Sequence, residues 1–331
     1  MIDILSYPFM QRALIAALLT GLMAPAIGTY IVQRRLSLLG DGLGHVAIAG
    51  VGLALLTGQA PIPIAVVVCV AGAVVVELLR QRGKATGDVG LAILFYGGLA
   101  AGVLMSGIAG AGTGALSQYL FGSLTTVTVS DLRLVAALAV AVLVPTLGLA
   151  PQLFAVTADE DFARVLGLRV RLYNLLIVVT AAITVTLAMR TVGLLLVSAL
   201  MVVPVAAAQN LVRGFFATLI VAMAVGVVVS LGGAVGSFYA DTAPGALIVV
   251  LAIAVFAASW PISALLSRRR RVLPVIPELA DVAVPHVPTE DHPHHHGGTD
   301  CLHPQVRHGD HTDFIHDGHR HAAHADHYDE H

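Results

Sequence analysis

Asp41 and His45 stand four residues apart in Gly40-Asp41-Gly42-Leu43-Gly44-His45, within an otherwise apolar run. On a helix that spacing puts both on one face, one turn apart. A carboxylate and an imidazole so placed can share one divalent ion, at about 2.0–2.2 Å for zinc. A charged side chain in the bilayer costs about 2.5–3.5 kcal/mol on insertion scales, so the pair calls for a reason. Either the two ligate a metal, or Asp41 caps a helix start and His45 hydrogen-bonds inside a bundle. The glycines between them either break the helix beside an ion or pack. Asp241, in Ser237-Phe-Tyr-Ala-Asp241-Thr-Ala-Pro244, is a third candidate ligand; the alternative is an aspartate in an ordinary loop. Counted from Arg35 at about 1.5 Å per residue, His45 lies roughly 15 Å deep, whereas Asp241 falls near a membrane boundary. A shared site therefore needs the chain to dip inward, or two stations on one path. Glu77 is expected to reach the surface beside Arg80, and Met201 to pack in the core.

A second set of ligating residues lies at the other end. Fourteen of the 15 histidines fall from His286 onward, interleaved with acids. His294, His295, His296, His316, His319, His321, His324, His327 and His331 are candidates for several exchangeable metal sites, since neutral imidazole suits zinc, copper and nickel better than the hard magnesium and calcium ions. A pH-responsive solubilising tail is the alternative. Apolar residues are sparse there, so disorder is expected.

The elements that must position these residues are apolar helices. The chain is 57% hydrophobic and 11% charged, against about 25% charged in soluble domains. Nine spans are expected, at roughly 13–32, 36–57, 61–79, 89–110, 132–150, 172–189, 191–211, 215–235 and 245–266. The first reads as a retained span, although Ala24-Pro25-Ala26 has the look of a signal-peptide cleavage site. Pro25, Pro145, Pro204 and Pro261 should kink their helices or mark breaks. With nine alternating spans, Arg34, Arg35, Arg80, Arg82, Lys84, Arg164, Arg169, Arg171, Arg213 and Arg268 to Arg271 share one side, and only Arg12, Arg133 and Arg190 the other. The positive-inside rule then puts the N-terminus outside and the C-terminus in the cytoplasm. The division is a permease domain over 1–271 and a His/Asp-rich cytoplasmic tail over 272–331. Cys69 and Cys301 fall in an apolar run and a polar tail, so no disulfide is expected between them.

The chain carries no engine. Lys84 is its only lysine, and Leu78 stands where a Walker A motif needs its first glycine. No H-E-x-x-H or G-x-S-x-G occurs, which argues for a conduit rather than an enzyme. Among the connections, Asp159, Glu160 and Asp161 are acids suited to a helix N-terminus, followed by Phe162, Arg164, Val165, Leu166, Gly167 and Leu168. A short amphipathic helix there is either a plain surface helix or one that docks into a partner's groove.

Five stretches occur in order: Arg34–Ala54, Tyr119–Leu132, Asp159–Val170, Val192–Ala208 and Tyr239–Ala252. Together they resemble the membrane permease subunit of the bacterial zinc/manganese-uptake ABC transporters, over about residues 10–266. The resemblance implies an all-α integral membrane fold of about nine helices, similar to the vitamin B12 and iron-siderophore importers. It implies a bacterial inner-membrane location and two permease copies lining the path. An ATPase subunit would dock on each copy, and an extracytoplasmic solute-binding protein would deliver the metal. No cofactor is bound permanently; zinc(2+) or manganese(2+) is cargo, and the partner uses ATP. Asp41 and His45 match the acid and histidine of the family's second-span motif, implicated in metal coordination or gating. Asp241 matches its aspartate before the final span, and Asp159 to Leu168 its ATPase-coupling helix. Zinc is expected ahead of manganese. A proton-coupled secondary metal carrier is the alternative, and a membrane-anchored metal sensor a third.

Overall fold

The computed structural model describes residues 6–81, 87–122, 128–191, 193–270, 287–289, 305–308, 311–316, 319–324 and 327–330. Arg82, Lys84, His294 to His296 and His331 lie outside them. Among the described residues, twelve helices follow in chain order: α1 (Pro8–Gln33), α2 (Leu39–Thr57), α3 (Pro61–Gln81), α4 (Gly87–Ile108), α5 (Gly112–Phe121), α6 (Val129–Gly148), α7 (Ala150–Ala158), α8 (Glu160–Val165), α9 (Val170–Thr191), α10 (Leu194–Leu211), α11 (Phe215–Ala240) and α12 (Pro244–Arg270). Contacts divide the chain into two units, Met1–Arg268 and Arg269–His331.

Among the described residues, seven helices are long and apolar enough to cross a membrane: α1, α2, α3, α6, α9, α11 and α12. The fourth and seventh expected spans fall on shorter apolar stretches, Ala92–Ile108 of α4 and Val197–Leu211 of α10. The expected prolines break no helix; all four lie inside α1, α6, α10 and α12. The short helices α5 and α7 have no counterpart among the expected spans.

Burial sorts the helices. The apolar window of α2 is 78% buried and that of α12 only 22%, so α2 is central and α12 peripheral. Tyr30, Leu43, Ile48, Ile177, Met189 and Leu200, from α1, α2, α9 and α10, form the fully enclosed centre. Met201 packs there as expected. Many buried hydroxyls within the bundle are satisfied locally, although Ser106 Oγ and Ser230 Oγ are buried without a hydrogen-bond partner among the described residues. Thr20, Thr29, Thr146, Thr184 and Thr186 each donate their hydroxyl to the carbonyl four residues back, which removes the penalty of an unpaired buried hydroxyl. Tyr30 Oη donates to the Thr146 carbonyl at 2.8 Å, one of the carbonyls that the end of α6 leaves without a helical partner.

Helices approach closely where side chains are absent. A Cβ at Gly98 of α4 would lie 2.7 Å from the His45 backbone, and one at Gly52 of α2 would lie 2.6 Å from the Gly102 carbonyl oxygen. Such contacts suit a lipid setting, in which packing and hydrogen bonds drive association.

The second unit differs from the expected disorder. Its described residues form five strands, β1 (Val287–Thr289), β2 (Gln305–His308), β3 (His311–His316), β4 (His319–His324) and β5 (His327–Glu330), in one antiparallel sheet ordered β1-β5-β4-β3-β2. Two residues separate each strand from the next between β2 and β5. Asp317-Gly318 between β3 and β4 is a strong hairpin signal in sequence. Composition alone hides it, because hairpin chemistry resides in spacing rather than apolar content.

Gly98→Ala should lower the thermal midpoint of the detergent-purified chain, by about 1–3 kcal/mol of stability, since the new methyl meets backbone that cannot step aside. Gly97→Ala, with no atom within 4 Å of the added carbon, should leave the midpoint unchanged. Equal midpoints for the two variants would refute this account of the α2–α4 contact.

Candidate functional site

The α2 pair sits on continuous helix. Gly40 and Gly44 face Ser198 and Leu194 of α10, so they pack and do not break the chain. The helix starts at Leu39, four residues beyond Arg35, with Asp41 in its first turn. By the same reckoning of about 1.5 Å per residue, His45 lies roughly 9 Å into the helix.

Asp41 is half-buried and His45 is 8% exposed. His45 Nδ1 lies 2.7 Å from the Asp41 backbone carbonyl. A carbonyl only accepts, so Nδ1 carries the proton. In the neutral imidazole that assigns the lone pair to Nε2, the state a metal ligand needs, with the backbone bond fixing ring and tautomer. Phe95 of α4 lies against the imidazole, ring centroids 3.8 Å apart. The pair therefore offers one nitrogen and one carboxylate.

Asp241 is not brought into a cluster with them. Among the described residues no group of three or more His, Cys, Asp or Glu is arranged to hold a metal. Asp241 is exposed and caps α11 in the left-handed region, φ 48°, its N–H donating to the Ser237 carbonyl.

The acid-rich connection forms α8. Asp159 is its N-cap, with Oδ1 accepting from the N–H groups of Asp161 and Phe162, both at 2.9 Å. At the other end Gly167 takes φ 79°. Its N–H donates to the Arg164 carbonyl and that of Leu168 to the Ala163 carbonyl, both at 3.0 Å, a Schellman ending that needs glycine. Ala163 and Leu168 pack inward with Val156 and Val170. Phe162, Val165 and Leu166 are exposed, Val165 at 84%, leaving a small apolar edge.

Glu160 was legible as an acid at a helix start; its wider reach was not. Its carboxylate pairs with Arg34, just past the end of α1, with Arg164 at 3.4 Å, and with Arg80 of α3 at 3.9 Å. It also accepts from Asn174 Nδ2 of α9 at 3.0 Å. The Arg34 side chain is 5% exposed. Burial, then Arg80 nearby, pulls its pKa below the ordinary arginine value, while Glu160 and Glu77 oppose that shift. Glu77 does not reach the surface as expected; it is buried and accepts from Arg80 Nε at 3.0 Å and Arg80 Nη2 at 3.1 Å. Burying Glu77 neutralises an arginine that would otherwise crowd Arg34. A pocket of about 280 Å³ opens beside the cluster, with Arg80, Arg164 and Arg171 in its wall.

Residues 6–262 match the model of the ABC 3 transport family. The chain is 34% identical over 254 residues to a Treponema pallidum membrane protein named for metal transport, covering 76% of this chain and 94% of that one. It is 31% identical over 259 residues to the manganese transport system membrane protein MntC of Halalkalibacterium halodurans, covering 78% and 88%. A solved structure of PsaBC from Streptococcus pneumoniae in complex with a Fab superposes with a TM-score of 0.71 at 27% identity, covering 80% of this chain and 96% of that one.

Glu160→Gln leaves Arg34 buried beside Arg80 without its carboxylate. Stability should fall by roughly 2 kcal/mol, read as a lower thermal midpoint, and Arg34→Met in the same chain should recover most of the loss. A Glu160→Gln chain as stable as the parent would show that this ion pair does not hold α8.

Proposed function

The chain belongs to the ABC 3 transport family, and on that premise we propose that it is the permease subunit of an ATP-driven importer for a divalent transition metal, zinc first and manganese second. The observation that carries the reading is the Asp41–His45 turn. It is a carboxylate and an imidazole one turn apart on the most enclosed of the spanning helices, with Nε2 left as the lone-pair nitrogen. Imidazole supports zinc; the name of the Halalkalibacterium relative supports manganese. One nitrogen and one oxygen make a weak site, which suits a station that must release its ion. Asp241 serves as a second station at the α11–α12 junction.

The subunit hydrolyses no ATP itself. An ATPase partner docks on α8, and the exposed edge of Phe162, Val165 and Leu166 beside Arg164 supports that surface. Two permease copies form the path, and a solute-binding protein delivers the metal from outside. The protein is a multi-pass membrane protein. Its α8 end faces the cytoplasm and its N-terminus lies outside, a reading supported by Arg34, Arg80 and Arg164 gathering around Glu160. ATP binding and hydrolysis in the partner move α8, and the bundle opens alternately to the binding protein and to the cytoplasm.

His45→Ala should cut cellular uptake of radioactive zinc or manganese about tenfold or more, because even loss of an outer-shell partner of a metal ligand costs about 10–100-fold, while protein level and complex assembly stay normal. Parental uptake in that variant sinks the ligand assignment. Val165→Asp should abolish co-purification of the ATPase, and full retention would remove α8 as the docking element. Uptake that survives loss of the ATPase but collapses with the proton gradient would replace this reading with the proton-coupled carrier.

A further inference from the structure

We propose that the pocket among the ends of α3, α8 and α9 is a binding site for a phosphate group, the chemistry shared by the headgroup of an anionic phospholipid and a free phosphate ion. Its wall takes Arg80 and Gln81 from the last turn of α3, Glu160 and Arg164 from α8, and Arg171 and Asn174 from the start of α9. Three segments far apart in sequence thus bring three guanidinium groups to one cavity.

The charge there has to be counted pair by pair. Arg34 pairs with Glu160, Arg80 with Glu77 and Arg164 with Asp161, so each of those cations has its own carboxylate. Arg171 is exposed and makes no ion pair among the described residues. The wall is left with one uncompensated positive charge. It stands at the start of the 22-residue α9, where the helix dipole also favours an anion. Glu160 is no free carboxylate in this wall. Its Oε1 accepts from Arg34 and from Asn174 Nδ2, and its Oε2 lies 3.4 Å from Arg164. The α3 side chains are held from behind by Glu77, which accepts from Arg80 and, at 2.9 Å, from Gln81 Nε2. Donors already fixed by their neighbours are preorganised for a ligand.

Size and place narrow the ligand. Guanidinium forks match the oxygen edges of a phosphate. The cavity has about 280 Å³, whereas one ordered water needs only about 10–15 Å³ of such space. A phosphate carrying a substituent fits, and a chloride would leave most of it unfilled. Both α3 and α9 are long and apolar enough to cross a membrane, and the pocket lies at the last turn of one and the first turn of the other. That is headgroup depth, and basic pockets between spanning helices take anionic headgroups. Leu78, Leu79 and Leu172, next in sequence to the wall residues, are exposed and offer apolar surface to acyl chains. The site stands on the charges and dimensions of the pocket and does not depend on the transport reading.

Thermal unfolding of the full chain in detergent micelles, at fixed ionic strength, tests the proposal. Micelles containing dioleoylphosphatidylglycerol, or buffer containing inorganic phosphate, should raise the midpoint by mass action. Dioleoylphosphatidylcholine, whose choline cation meets the arginines, and chloride should not. A rise with the anionic lipid alone assigns the phosphate to a headgroup; a rise with inorganic phosphate shows that the soluble ion suffices. Arg171→Ala leaves every ion pair above intact. It should increase the concentration that gives half the rise about tenfold or more, because a charge-assisted contact is lost. Arg169→Ala removes the same charge from an exposed position outside the wall and should leave that concentration unchanged. No rise with either probe in the parent would overturn the proposal, as would a rise that Arg171→Ala leaves undiminished or that both variants diminish alike.

Discussion

A polar group taken into lipid finds no water to hydrogen-bond, so it must find a partner in its own helix or in a neighbour. That constraint organises the first unit. Threonines turn their hydroxyls back onto their own helices, and the Tyr30 hydroxyl crosses from α1 to a carbonyl at the end of α6. With polar pairing handled mostly within each helix, contact between helices falls to shape. Gly98, Gly102 and Gly52 bring α2 and α4 to backbone distance. His45 sits at that contact, and its imidazole hydrogen-bonds to its own helix. The same rule that satisfies the threonines therefore sets the tautomer of the candidate ligand.

Charges follow the same rule at larger cost. Arg34 is enclosed, and an enclosed guanidinium requires a carboxylate. Glu160 supplies it from α8 and also meets Arg80, Arg164 and Asn174. Residues distant in sequence are thereby tied together: the end of α1, the end of α3, the start of α9 and the short helix with the exposed apolar edge. Only a short connection, containing Arg35 at φ 58°, separates Arg34 from α2 and its Asp41–His45 turn. A displacement of α8 cannot leave the α1–α2 connection untouched without breaking a buried ion pair. The Asp41–His45 turn and the docking candidate are therefore joined through Arg34 at one end of the bundle.

What could be read from sequence was whatever has a period or a motif. The nine apolar stretches fall on helices because lipid demands unbroken hydrophobicity, and α8 was visible from its acids, its apolar edge and Gly167. The face shared by Asp41 and His45 followed from a spacing of four. What stayed hidden depends on three-dimensional neighbours. The burial of Glu77 follows from Arg80, one turn on, having to be neutralised close to Arg34, which no local pattern reveals. Because Leu36 to Leu38 precede α2, His45 lies about 9 Å along the helix from its start rather than the roughly 15 Å counted from Arg35. The sheet was missed because its apolar content is low, although its hairpin spacing was present throughout.

Donor count decides what the α2 pair can do. On α2 a single imidazole and a single carboxylate sit on one helix face. Ligands drawn from one turn of one helix cannot surround an ion, so the remaining coordination positions stay open to water. An incomplete shell exchanges its ion readily, as a path requires.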